Sequence, residues 1–94
     1  MSEMERLELL KADLQNPPAA KDSYLLHLLG VAAERIAGEG IHLTDSVSDD
    51  NLRIMYAAYL YRKRAAPETA MPRMLRYALN QRLFGKKEET PDAT

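Results

Sequence analysis

His27 and His42 are the first residues here that could serve as base or metal ligand, since imidazole titrates near neutral pH and binds divalent metals. Either task needs further ligands or a nucleophile nearby, and neither histidine has one at a suitable spacing. His27 lies among leucines and His42 follows Gly40, positions that suit a packed or solvated side chain. Asp45, Asp49 and Asp50 gather carboxylates, but the glycine and glutamate of an EF-hand loop are missing. Helix capping accounts for them more simply. With no cysteine, thiolate nucleophiles, thiolate zinc sites and disulfides are excluded. No glycine-rich phosphate loop, nucleophile elbow or paired-histidine motif occurs. The expectation is a non-enzymatic protein with no catalytic residue, metal site or cofactor.

The remaining chemistry is charge and aromatic surface. The net charge of -1 conceals a segregation along the chain. Residues 1–50 carry an excess of acids, whereas residues 51–87 carry Arg53, Arg62, Lys63, Arg64, Arg73, Arg76, Arg82, Lys86 and Lys87 against the single acid Glu68. Such a run of bases repels itself unless acid or phosphate lies nearby. Arg62, Lys63, Arg64, Arg73, Arg76 and Arg82 are therefore candidates for a subunit interface or a DNA channel. Tyr56 and Tyr59 share an apolar stripe and read as core, while Tyr61 and Tyr77 are candidate interface aromatics.

Helices must position these groups. Ser2 and Glu5 form a capping box, and Met4, Leu7, Leu10 and Leu14 follow as an apolar stripe that ends before Pro17 and Pro18. Asp22 or Ser23 can cap a second helix with Leu25, Leu28, Leu29, Ala32 and Ile36 on one face, closed by Gly38 and Gly40. Ile41, His42 and Leu43 alternate briefly before a polar loop. Ser48 or Asp49 is expected to cap a third helix, with Leu52, Met55, Tyr56 and Tyr59 as its stripe and Arg62, Lys63 and Arg64 at its negative dipole end. Pro72 opens a fourth helix bearing Met74, Leu75, Ala78, Leu79 and Leu83, with Gly85 as its stop.

The 94 residues hold one domain. The expected fold is all-α, a small bundle of about four helices over residues 1–85, with the second and third helices as its spine. A short extended C-terminal tail over residues 86–94 completes the chain. A core this small is marginal, which favours self-association. The acidic start does not resemble a secretory leader, and no apolar run approaches a membrane span.

Element order and two local strings carry a resemblance. Leu9-Leu10-Lys11-Ala12-Asp13-Leu14 ends the first helix, and an apolar helix runs to Gly38-Glu39-Gly40-Ile41. A polar link over residues 45–51 leads to Met55-Tyr56-Ala57-Ala58-Tyr59-Leu60-Tyr61-Arg62-Lys63-Arg64, then to Met71-Pro72-Arg73-Met74-Leu75-Arg76-Tyr77-Ala78-Leu79-Asn80. Over nearly its whole length the chain resembles the head-tail connector proteins of tailed bacteriophages, also called adaptor or head-completion proteins. The resemblance implies a virion protein at the head-tail interface that passes through the host cytoplasm during assembly. It implies a homo-oligomeric ring of about twelve copies, closed by heterologous contacts. The implied partners are the portal protein, a neck, stopper or tail-completion protein, and packaged DNA passing through the ring, with no membrane. Acids of the first two helices are expected to meet bases of the last two across the interface, or the bases to line the DNA passage. Lys86, Lys87, Glu88 and Glu89 form a candidate portal-docking tail. The alternative is a small helix-turn-helix DNA-binding protein, against which stand the long link after Gly38 and the apolar third helix.

Overall fold

The computed structural model describes the backbone through Asp92 and the side chains through Gly85. Its helices are α1 (Glu3–Asp13), α2 (Asp22–Gly38), α3 (Val47–Ala65) and α4 (Arg73–Asp92), with a 3₁₀ turn at Ala19–Lys21 leading into α2. The fold is an all-α bundle. No strand occurs among the described residues.

The capping box of α1 forms in both directions: Glu5 N–H donates to Ser2 Oγ at 3.1 Å, and Ser2 N–H donates to Glu5 Oε1 at 2.7 Å. Leu7 and Leu10 are fully buried and Leu14 packs against the same core. Their three- and four-residue spacing turns the contact face away from Met4, which the stripe had included and which is 59% exposed. Gln15 and Asn16 then take positive φ and turn the chain before Pro17.

The stripe of α2 is buried as its spacing predicts, from Leu25 through Leu28, Leu29 and Ala32 to Ile36. Neither expected cap is used. The 3₁₀ turn runs straight into the helix through Lys21, and Asp22 lies inside the first turn with Oδ1 2.9 Å from Lys11 Nζ. After Gly38 the alternation of Ile41, His42 and Leu43 survives as an extended loop: Ile41 is buried, His42 exposed and Leu43 half-buried.

α3 is capped by Ser46, whose Oγ accepts from Asp49 N–H at 3.1 Å, rather than by Ser48 or Asp49. It touches each of the other three helices. Burial therefore spreads beyond the expected stripe to Ile54, Ala57 and Ala58, while Met55 and Tyr59 are only half-buried. Tyr56 is core, and burial raises its phenol above the usual value.

α4 packs on α3 and on the link between α2 and α3. Leu75 and Leu79 are buried, and Leu83 approaches Gly40, whose φ of +96° suits a residue without Cβ. Met74, assigned to the same stripe, is 74% exposed because it lies roughly 140° around the helix from Leu79. Gly85 does not stop α4, whose bounds reach Asp92. A single glycine costs a helix only about 1 kcal/mol, and lysines and glutamates favourable to helix follow it. The side chains of Lys86, Lys87, Glu88 and Glu89, proposed as a docking tail, lie outside the described residues.

Candidate interaction surface

Because α4 buries Leu75 and Leu79 on one side, helical geometry places residues 74, 77, 81 and 84 together on the other. Met74, Tyr77 and Phe84 on that outer side are 74%, 65% and 52% exposed. Single exposed apolar residues are ordinary, but these follow one stripe. A groove of about 440 Å³ opens beside it, with Leu52 and Met55 of α3 and Met74, Tyr77 and Ala78 of α4 on its apolar side and Ser48, Asp49, Asn51, Gln81 and Arg82 on its polar side. The groove and the stripe form one surface, apolar at its centre and bordered by polar side chains such as Gln81.

Charged contacts seat α4 beneath this surface. Arg82 Nε donates to Asp49 Oδ1 at 2.7 Å and Arg82 Nη2 to Asp49 Oδ2 at 3.0 Å, while the same nitrogen reaches the carbonyl of His42 at 2.6 Å. Asp49 is buried. The Arg82 bonds, helped by the backbone N–H and hydroxyl of Thr44, hold its carboxyl below the usual range against the opposing effect of burial. Arg76 spans both oxygens of Glu39 at 3.1 and 3.3 Å.

A second polar network binds α1 to the spine. Arg6 donates to Asp50 at 2.9 Å and to Glu3 at 2.7 Å. Arg53 donates to Glu3 at 2.7 Å and to the carbonyl of Leu29 at 2.9 Å. The acidic half and the basic half thus meet inside one chain. Local spacing could not reveal this, because Arg53 and Glu3 are fifty positions apart.

The six candidate bases are not gathered into one track. Arg62 reaches Asp13, Arg76 reaches Glu39 and Arg82 reaches Asp49, so the pairing expected across an interface is made within the chain for these three. Lys63 donates to the carbonyls of Pro67 and Thr69 and lies 5.9 Å from the Tyr59 ring centroid. Arg64 stacks 5.0 Å from the centroid of Tyr24, whose ring is 6.3 Å from that of Tyr61. Arg73 is exposed and has no carboxylate partner among the described residues. Of the two interface aromatics, Tyr77 lies on the outer face of α4 and Tyr61 is half-buried against Tyr24. His27 and His42 are exposed. No group of three or more His, Asp or Glu suited to a metal occurs among the described residues.

The exposed face of α4 was partly legible. Residue type makes Tyr77 a candidate, whereas the helical spacing places Met74 in the inward stripe and nothing in the sequence singles out Phe84. Comparison of the chain with protein families, with curated proteins and with solved structures returned no match.

Proposed function

We propose that this chain is a structural protein of a tailed-phage virion, a head-tail connector. It assembles as a homo-oligomeric ring beneath the portal, extends the DNA channel and presents a surface to a neck, stopper or tail-completion protein. The observation that carries this reading is the outer face of α4. A small bundle that leaves Met74, Tyr77 and Phe84 in a stripe beside an apolar groove has a surface suited to another protein. The order of helices and the two strings of the third and fourth helices point to the same role.

Three of the six candidate bases are engaged by carboxylates of their own chain. Of the other three, Lys63 is held by the carbonyls of Pro67 and Thr69, which leaves Arg64 and Arg73, without a carboxylate partner among the described residues, to meet DNA phosphate or the acids of a neighbouring copy. Electron microscopy of particles with a subunit-specific label on this chain tests the reading. The label is expected at the head-tail junction, and deletion of the gene is expected to leave DNA-filled heads without tails. Absence of the chain from purified virions, or complete particles after deletion, overturns it.

A further inference from the structure

We infer that the outer face of α4 in one copy seats the outer face of α1 of a second copy, head to tail. This deepens the ring reading by naming the two surfaces that meet. The α4 face is apolar and basic. Met74, Tyr77 and Phe84 run beside Arg73, and the sequence contains no acid between residues 73 and 85. The α1 face is apolar and acidic. Met1, Met4 and Leu9 are 44%, 59% and 48% exposed, Glu5 and Glu8 are exposed among them, and Glu8 has no partner among the described residues. Both bases of α1 point elsewhere, Arg6 to Asp50 and Lys11 to Asp22.

These complementary faces do not satisfy each other within one chain. α1 rests on α2 and α3, whereas α4 rests on α3 and the link after α2. Pairing α1 with α1 would set acids against acids, and pairing α4 with α4 would set arginine against arginine. Pairing α1 with α4 joins opposite charges around exposed apolar side chains, and such a contact, made head to tail and repeated, builds a ring or an open array. Methionine suits both sides, because its unbranched chain can enter the groove beside Leu52 and Met55 without a fixed shape.

The test uses the full chain in sedimentation velocity, with R73E, E8K and the double exchange R73E/E8K, each checked for helix content by circular dichroism. Each single exchange is expected to weaken association by about tenfold and the double exchange to restore it. In parallel, a benzophenone amino acid at position 77, in a mixture of light and heavy-isotope copies, is expected to capture the peptide containing Met4 and Leu9 of another copy. Association unchanged by both single exchanges, capture of α4 by α4, or a monomer at every attainable concentration overturns the inference. Association through these faces by a chain absent from virions leaves this inference standing and removes the connector reading. Incorporation into virions with capture elsewhere does the reverse.

Discussion

The α2–α3 spine and α4 are helices of similar length held in different ways. In the spine, Leu25, Leu29, Ala32, Ile36 and Ala57 have no measurable exposure, and contacts reach them from several helices. α4 buries Leu75 and Leu79 and is otherwise tied by Arg76 to Glu39 and by Arg82 to Asp49. α4, with Met74, Tyr77 and Phe84 on its outer face, is thus the helix held least by the core. Such peripheral elements open at lower free energy than the whole fold.

Leu29→Ala and Leu79→Ala separate the two regions. Leu29→Ala is expected to lower global stability by about 2–5 kcal/mol, read as a shift of the urea midpoint, because it leaves a cavity between the central helices. Leu79→Ala removes the same atoms from α4. Its main effect is expected in hydrogen exchange, with α4 amides accelerating while those of α2 and α3 keep most of their protection. Equal acceleration in all helices would mean that α4 belongs to the same cooperative unit, and the contrast would disappear.

Next in size is the ion pair that seats α4. Arg82→Met leaves the carboxylate of Asp49, 2% exposed, without its main partner and is expected to cost about 3 kcal/mol. The same pair has a pH signature. The folded-state pKa of Asp49 is lowered, chiefly by the hydrogen bonds from Arg82, so its contribution is complete above the unfolded aspartate value of about 3.9 and is lost as pH falls through the folded value. The melting temperature is therefore expected to drop on acidification below about pH 4, and less steeply in Asp49→Asn than in the wild type. Parallel pH profiles would show that this pair does not fasten α4.

Ser46→Ala removes the α3 cap and is expected to cost about 1 kcal/mol by chemical denaturation, whereas Ser48→Ala is expected to change little. That cap also marks the limit of what was legible. The run Thr44-Asp45-Ser46-Val47-Ser48-Asp49-Asp50 offers several capping residues, and local pattern cannot choose among them. The choice is settled from a distance, because Arg82 and Thr44 engage the Asp49 carboxylate and Ser46 takes its backbone N–H. Helix order and the α2 stripe were readable because burial at Leu25, Leu28, Leu29, Ala32 and Ile36 follows one period. The ends of stripes were not. Met4 and Met74 continue their patterns on paper, but each helix touches the bundle over a narrow arc that only tertiary packing fixes. The segregation of charge was equally plain in the sequence, yet whether opposite charges meet within one chain or between two depends on packing.

The smallest effect is expected where that charge segregation is most visible on the surface. Arg62 and Asp13 join the end of α3 to the end of α1 at 3.4 Å, with both side chains about half exposed. Water and salt screen such a pair, and holding two long side chains in one arrangement opposes the attraction. Arg62→Ala is therefore expected to change stability by less than about 0.5 kcal/mol, and a double-mutant cycle with Asp13→Ala to give coupling of the same small size. A coupling near that of Arg82 with Asp49 would mean that exposed charge itself holds the helices together. The expected near-zero value assigns the fold to the buried leucines and the Asp49 pair rather than to exposed charge.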